Sequence, residues 1–384
     1  MNSSSRRNFL AAGIALPAGL GASRRPEAGA TQKAAGVKDT GLRYKTLGRT
    51  GFKVTTVAFG SMITSDGSVI ERAIDMGINY IDTAVGYQGG NCESMVGAAI
   101  KGKRDKLILS TKSPAETKAQ ALEHLDTSLK RLGTDHVDIW FVHAKSRAEQ
   151  LTDERLEANE IARKAGKVRF HGVSTHSGHA NIIPAVIQKG FDVLLTSYNF
   201  SMAAIDPLLE QAKKAGLGIV GMKVMAGGFR RMKPGSGEYA RFKRDGAPVA
   251  MLKWVLRNPN IDTTIPSITD MDQLDEDFRT MTQPWTAADE KLLAGQLEHI
   301  APLYCRSCGA CEGKCAKGLP VSDILRYLSY AEGYGQFRLG RESFLELPEE
   351  MRGVHCADCA ACAIQCPNGV RVAERVLRAQ ELFA

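Results

Sequence analysis

Short apolar runs alternate with amphipathic stretches along residues 54–283. Eight of the runs are rich in β-branched and aromatic residues and are therefore predicted to be strands: 54–60, 78–84, 106–112, 136–143, 168–175, 192–199, 218–224 and 262–268. The stretches between them carry apolar residues at helical spacing. Several of these stretches end in a glycine, the usual stop at the C-terminus of a helix: Gly77, Gly133, Gly166, Gly190 and Gly216.

Eight strands that are each followed by a helix predict an α/β fold, the (β/α)8 TIM barrel. The competing fold is a doubly wound sheet, which usually has a glycine-rich fingerprint after its first strand. The segment Phe59–Met62 is not such a fingerprint. The stretch Leu42–Val54 contains a glycine-bearing turn before the first strand, and it predicts a hairpin that closes the floor of the barrel.

Eight of the nine cysteines lie in two copies of the spacing Cys-x2-Cys-x2-Cys-x3-Cys near the C-terminus. The copies are Cys305, Cys308, Cys311 and Cys315, followed by Cys356, Cys359, Cys362 and Cys366. This spacing is typical of bacterial [4Fe–4S] sites, so two clusters are predicted. Disulfides are the alternative, although such short spacings suit a metal better. In two-cluster ferredoxins the fourth cysteine of one run ligates the other cluster. We therefore expect Cys315 to complete the second cluster and Cys366 to complete the first.

The predicted iron–sulfur domain covers residues 300–384. Its two cysteine runs are separated by 40 residues with helical patterns, which is long for the compact ferredoxin fold. The spacing is similar to that of the helical ferredoxin-like domains of respiratory subunits, and we expect a small helical domain. Its clusters would either exchange electrons with an electron-transfer partner or serve as structural or docking elements.

Residues 1–30 have the features of an export signal. Arg6 and Arg7 precede an apolar run over 9–22 that is short for a membrane helix, and small residues at 28–30 suit a cleavage site. The segment resembles a twin-arginine signal, which implies the twin-arginine export machinery as a partner and a periplasmic or otherwise exported protein. We expect no membrane span in the mature chain, and an uncleaved signal would act as an anchor.

The composition is that of an ordinary globular protein, with 43% hydrophobic and 24% charged residues among 384. The formal net charge is +8. The leader supplies +3 of it, since it has four arginines against Glu27. No basic stripe with interleaved aromatic residues is present, so nucleic acid is not an expected partner.

Ionisable residues follow three successive predicted strands, where the chemistry of such barrels collects. They are Asp82, Tyr87, Lys112 and His143. Each alone has a structural explanation: a cap, a surface aromatic, a solvated lysine or a core histidine. Together at one rim, they predict a proton-transfer site.

The chain resembles the aldo/keto reductases over residues 42–283, where family-like motifs occur in the family's order: KTLGRTGFKV, INYIDTAVGY, LSTK, FVHA, GVSTH, SYN and IPSITDMDQLDED. The resemblance implies that Tyr87 is the general acid of carbonyl reduction. It also implies that Lys112, held by Asp82, lowers the pKa of the Tyr87 phenol, and that His143 orients the substrate carbonyl. The implied substrate is a small carbonyl compound or alcohol, and the implied cofactor is NADP or NAD.

The resemblance also implies cofactor contacts, at Gly60, Ser61, Asp82, Ser174, Lys223, Ser267, Gln273 and Asp277. Several positions depart from the family pattern. Met222 and Lys223 replace the usual stacking tyrosine and its neighbour, and Gln273 replaces a frequent arginine of the phosphate-binding stretch. The choice between NADP and NAD stays open at this point.

Two functions are compatible with these features. The first is an exported iron–sulfur oxidoreductase of the aldo/keto reductase type, which interconverts carbonyls and alcohols. The second is an iron–sulfur electron-transfer or partner-docking protein whose barrel turns over no nicotinamide substrate. Hydride carries two electrons whereas a cluster normally carries one, so direct exchange between the two groups would be mismatched.

Overall fold

The structure is a computed structural model that describes residues 41–226 and 246–383. The predicted export signal at residues 1–30 lies outside these ranges. Within them the backbone forms ten strands: Tyr44–Thr46 (β1), Lys53–Thr55 (β2), Phe59–Gly60 (β3), Tyr80–Asp82 (β4), Ile108–Ser113 (β5), Val137–Val142 (β6), Val168–Thr175 (β7), Val193–Ser197 (β8), Gly218–Met222 (β9) and Thr263–Thr264 (β10).

Thirteen α-helices are present in the same described ranges. They are Gly67–Asp75 (α1), Asn91–Ala99 (α2), Lys118–Leu132 (α3), Asp153–Lys164 (α4), His179–Gln188 (α5), Asp206–Lys214 (α6), Ala247–Leu256 (α7), Met271–Thr280 (α8), Ala287–Ile300 (α9), Val321–Glu332 (α10), Phe337–Leu345 (α11), Glu349–Arg352 (α12) and Val372–Phe383 (α13). Among these helices, none has the length and apolar character that a membrane crossing requires.

Strands β3 to β10 form a single parallel sheet in chain order. Isolated bridges between Val57 and Thr264 and between Gly60 and Ser267 join its first and last strands, so the sheet closes into a barrel. A barrel interior is packed with side chains, and here it is filled by buried residues such as Tyr80, Phe141 and Leu195. The predicted (β/α)8 architecture is confirmed.

The eight predicted barrel strands are all present, with one change at the start. Residues 54–60 were expected to form one strand, but they divide between β2 and β3. The reason is that β2 pairs with β1 in the hairpin, with Lys45 opposite Val54, while Phe59 and Gly60 pair with β4. Arg49 N donates to the Gly216 carbonyl just before β9, so the hairpin lies at the N-terminal end of the barrel.

Residues 300–383 form a helical domain, in which the described chain contains no strand. Its helices α10, α11 and α13 bury apolar residues against one another, including Ile324, Leu328, Phe344 and Phe383. Gly340 lets α11 approach α10 closely, since a Cβ atom there would lie 2.7 Å from the Tyr327 carbonyl oxygen. The expectation of a small helical iron–sulfur domain is confirmed in its secondary structure.

Candidate functional site

Two charged side chains form a buried ion pair at the mouth of the barrel. Asp82 ends β4, and Lys112 lies near the end of the neighbouring strand β5. Lys112 Nζ is 2.5 Å from Asp82 Oδ2 and donates to the Thr83 carbonyl at 2.6 Å. Ser110 Oγ donates to the other Asp82 oxygen at 2.6 Å. Asp82 and Lys112 are each 1% exposed, so each charge depends on the other for compensation.

Tyr87 and His143 lie in front of this ion pair. The two rings meet edge to face with centroids 5.9 Å apart, and Lys112 Nζ is 4.8 Å from the centroid of the Tyr87 ring. Both rings are half-buried. The structure therefore brings together all four residues that were predicted from the ends of successive strands.

The pKa of Tyr87 contradicts what the resemblance implies. Burial raises this pKa well above its ordinary value, and the charge of Asp82 raises it further. Lys112 does not reverse the shift, because it gives its hydrogen bonds to Asp82 and Thr83. The phenol is therefore protonated at neutral pH and can donate a proton, but it is not close to ionisation.

His143 is neutral at neutral pH. Burial lowers the pKa of its imidazole well below the ordinary value, and the positive charges of Lys112, Arg326 and other nearby cations lower it further. A neutral imidazole can offer one N–H donor to a carbonyl oxygen without adding a second positive charge beside Lys112.

Backbone strain collects at the same rim. Among the described non-glycine residues, five have a positive φ angle, and three of these lie at or beside site residues. They are Gln88 after Tyr87 (φ 52°), Ala144 after His143 (φ 55°) and Lys223 itself (φ 57°). Such conformations cost free energy and are most common where a side chain must be aimed at a functional site.

Six of the predicted cofactor residues line one cavity of about 120 Å³, together with Tyr87. They are Gly60, Asp82, Lys223, Ser267, Gln273 and Asp277. The hydroxyls of the other two make contacts within the protein. Ser61 Oγ donates to the Asp82 carbonyl at 2.7 Å, and Ser174 Oγ accepts from the Ala144 amide at 2.8 Å.

The far end of this cavity is acidic. Asp277 is 4% exposed, and burial raises the pKa of its carboxyl well above the ordinary value. The charges of Glu276 and Asp270 raise that pKa further. Gln273 does not replace the missing arginine, because its side-chain oxygen accepts from the Thr269 amide at 3.1 Å. The described lining of this end therefore has no cation to match a phosphate group.

The helical domain also contributes to the barrel mouth, which the sequence analysis missed. Tyr334 lines the cavity, and Tyr330 and Arg326 lie one and two turns before it. Lys223 Nζ is 4.6 Å from the centroid of the Tyr330 ring and 5.0 Å from that of Tyr334. Arg326 and Tyr330 are four residues apart on α10 and share one face of it, and Tyr334 follows the end of the helix. The four-residue spacing on α10 was the available signal.

A second histidine from the barrel was also missed. His176 follows β7 and lines the cavity, where its Nδ1 lies 3.2 Å from Ser197 Oγ. Burial lowers the pKa of His176 well below the ordinary value, and the charges of Arg326 and Lys223 lower it further. The mouth of the barrel thus carries two neutral imidazoles beside several cations.

The eight cysteines of the two runs form two groups across the runs. Burial raises the pKa of the Cys305 thiol to about 11, and the charges of Cys311, Cys308 and Cys366 raise it further. Asn368, two residues after Cys366, donates to Cys308 Sγ at 3.4 Å. The last cysteine of the second run therefore lies with the first run.

The last cysteine of the first run lies with the second run. Cys315 borders one cavity of about 70 Å³ with Cys356, Cys359 and Cys362, inside an apolar shell that includes Val376. In the described part of the chain, no three His, Cys, Asp or Glu side chains converge closely enough for a single metal ion.

Comparison with known proteins gives two family matches. The aldo/keto reductase family model matches residues 64–247. The 4Fe-4S dicluster domain model matches residues 304–370. The second match covers both cysteine runs, as the spacing predicts.

Individual relatives show the same likeness in the barrel. YrpG, an uncharacterized oxidoreductase of Bacillus subtilis, is 32% identical over 222 residues, which are 49% of this chain and 68% of the relative. YqkF, another uncharacterized oxidoreductase of the same organism, is 32% identical over 165 residues, which are 38% of this chain and about half of YqkF (53%). A solved aldo-keto reductase from Bacillus halodurans matches 70% of this chain and 98% of its own at 23% identity, with a TM-score of 0.56.

Proposed function

The chain belongs to the aldo/keto reductase family and is an oxidoreductase with a 4Fe-4S dicluster domain, and from this premise we propose that it reduces the carbonyl group of a small substrate. Tyr87 donates the proton, and His143 orients the carbonyl oxygen with a neutral N–H. The observation that carries this proposal is the packing of the Tyr87 and His143 rings, 5.9 Å apart, over the buried pair of Asp82 and Lys112.

The buried pair has a role of its own in this proposal. When the phenol gives up its proton, negative charge develops at the Tyr87 oxygen, and a cation held nearby stabilises that charge. Asp82 keeps Lys112 charged in a buried position, where burial alone lowers the pKa of the lysine. The raised pKa of Tyr87 keeps the acid loaded before the reaction.

We also propose a nicotinamide dinucleotide as the cofactor, which supplies hydride when it is bound. The residues fit this group at one end, because Tyr87 and Ser267 line the same cavity. At the other end, the described lining offers no cation for the additional phosphate of NADP, since Gln273 stands in place of the family's frequent arginine. We therefore propose that NADH binds at least as well as NADPH.

We further propose that two [4Fe-4S] clusters occupy the two cysteine groups. Removing two ligands from one cluster should leave the other cluster intact. The double variant Cys308→Ala with Cys366→Ala should therefore keep about half of the iron. Cys308→Ala with Cys315→Ala should lose most of it, because each cluster then lacks a ligand. The reverse pattern in iron content would contradict the grouping across the two runs.

A second candidate function is electron transfer without turnover of a nicotinamide substrate. Tyr304 adjoins Cys305, and its hydroxyl lies 3.3 Å from Asn199 Nδ2. The same Asn199 nitrogen donates to the Lys223 carbonyl at 3.1 Å, so contacts lead from the first cysteine group to the cavity. This path favours exchange of single electrons between a partner protein and the barrel.

We propose that the protein is exported by the twin-arginine machinery, because Arg6 and Arg7 precede a short apolar run and a small-residue site. Export of the folded protein would carry preassembled clusters with it. Cell fractionation of wild type and the Arg6→Lys, Arg7→Lys double variant checks this proposal. An unchanged distribution between the fractions would remove it.

The two functions are distinguished by titrating the anaerobically purified protein with NADH and NADPH while following intrinsic fluorescence and cluster absorbance. The reductase proposal predicts saturable binding of at least one dinucleotide, and oxidation of that dinucleotide when an aldehyde is added. If neither dinucleotide binds while the clusters still change their absorbance with a chemical reductant, the electron-transfer function is favoured.

A further inference from the structure

The half-buried ammonium of Lys223 lines the cavity without a carboxylate partner among the described residues. It follows β9 directly, and its left-handed backbone (φ 57°) aims the side chain at the helical domain. Burial lowers the pKa of Lys223, and a hydrogen bond to the side chain of Tyr330 opposes this shift. An ammonium held in this way retains capacity for an anionic ligand.

The other cations near this position are already matched. Lys112 is paired with Asp82 at 2.5 Å, and Arg326 is paired with Asp323 at 2.9 Å. His143 and His176 are neutral, for the reasons given above. Among the described residues that line the barrel mouth, Lys223 is therefore a cation without a carboxylate partner, and the charge of Arg326 acts on the same region.

The two tyrosine rings of the helical domain hold this charge in place. Lys223 Nζ lies within 5.0 Å of both ring centroids, a geometry that is attractive for a cation. The ring faces and the hydrogen bond to the Tyr330 hydroxyl attract the ammonium, but a protonated phenol supplies no full negative charge to match it. The lysine is thus positioned beside the cavity that Tyr87 also lines.

We propose that Lys223 binds a carboxylate group of the substrate, so that the natural substrates are carbonyl compounds that also carry an acid group, such as sugar acids. This inference rests on the proposed function. A single unmatched positive charge suits a monoanion better than a phosphate dianion. The carbonyl would lie at Tyr87 and His143, and the carboxylate would lie on the cavity side of Lys223, which Tyr87 also lines.

Binding without turnover tests the proposal, because it does not depend on hydride transfer. The dissociation constants of D-glucuronate and D-glucose are measured by ligand-observed NMR on the cluster-loaded protein. Wild type should bind glucuronate about ten- to a hundredfold more tightly, since charge-assisted hydrogen bonds have this range of strength. Lys223→Met should abolish the preference, and Lys223→Arg should retain most of it. The exposed Lys214→Met is the matched control and should behave as wild type.

Three results would overturn the proposal. They are equal affinity of wild type for the two sugars, an unchanged preference in Lys223→Met, and a Lys223→Met variant that loses affinity for NADPH or NADH instead of glucuronate. If Lys223→Met does not fold, Arg326→Gln replaces it and should reduce the preference severalfold. Failure of the reductase proposal has a different outcome, in which glucuronate binds as expected but neither dinucleotide binds.

Discussion

Two buried aspartates at opposite ends of one cavity have opposite electrostatic surroundings. Asp82 lies 2.5 Å from Lys112 and accepts a hydrogen bond from Ser110. The two side chains are buried to a similar degree, since Asp82 is 1% exposed and Asp277 is 4% exposed. The charges that act on Asp277, however, are the negative charges of Glu276 and Asp270. Burial raises the pKa of both carboxyls, and Lys112 opposes the shift at Asp82 alone.

The difference shows which end of the cavity is built for catalysis. A buried charge with a partner can be held ready next to a reacting group, whereas a buried carboxyl among like charges tends to stay protonated. The ion pair of Asp82 and Lys112 supports Tyr87. The end near Asp277 departs from the family pattern and has lost the cation expected for phosphate binding.

The largest expected effect is at the catalytic end. Tyr87→Phe should lower kcat/KM for aldehyde reduction by about 10²- to 10⁴-fold, because the proton donor is removed. The affinity for the dinucleotide should not change, since the ring remains. Steady-state kinetics and fluorescence titration measure the two quantities. The exposed Tyr44→Phe is the control, and wild-type turnover in Tyr87→Phe would exclude Tyr87 as the acid.

Breaking the buried pair should have the next largest effect. Lys112→Met leaves the Asp82 carboxylate buried without its cation, which should lower the free energy of unfolding by about 3–5 kcal/mol. The surface pair of Lys103 and Asp75 has nearly the same length, 2.6 Å, but is exposed. Lys103→Met should therefore cost at most about 1 kcal/mol. Equal losses in urea unfolding of the two variants would show that burial of the Asp82 pair is unimportant.

The smallest effect is expected at Asp277, and it depends on pH. Because the folded-state pKa is raised, the folded protein holds this proton more tightly than the unfolded chain does. Protonated Asp277 therefore makes its whole contribution to the free energy of unfolding below the ordinary carboxyl pKa of about 3.9. This contribution is lost as the pH rises through the raised folded-state pKa, by up to about 1.4 kcal/mol per pH unit.

Asp277→Asn removes this dependence, so the variant should gain stability over wild type as the pH rises. Urea unfolding at a series of pH values measures the difference in the free energy of unfolding between the variant and wild type. Asp275→Asn, at an exposed position of the same helix, is the control. A constant stability difference between Asp277→Asn and wild type at all pH values would show that folding does not raise the pKa of Asp277.

The strand–helix alternation and the cysteine spacing predicted the barrel, the helical domain and the convergence of Asp82, Tyr87, Lys112 and His143. These predictions were successful because they depend on local periodicity and on strand order. In a parallel barrel, the C-terminal ends of all the strands lie at the same face, so residues at those ends come together. The division of residues 54–60 between two sheets was not predictable from periodicity, since both parts are apolar.

The contribution of Arg326, Tyr330 and Tyr334 to the barrel mouth depends on how one domain packs on another, which a local pattern does not encode. The pKa of Tyr87 was expected to fall because Lys112 is near. It rises because burial of the phenol outweighs a cation whose charge is already matched by Asp82. Both outcomes follow from tertiary packing rather than from residue type.

The central claim is that the barrel transfers hydride from a nicotinamide cofactor to a carbonyl compound. It is tested most directly with NADH or NADPH that carries deuterium at the transferable position, added with D-glucuronate in a single turnover. Mass spectrometry should find one deuterium in each molecule of reduced product, and Tyr87→Phe should form far less of this product in the same time. A reduced product without deuterium, or no reduced product from a protein that binds both ligands, would contradict the account.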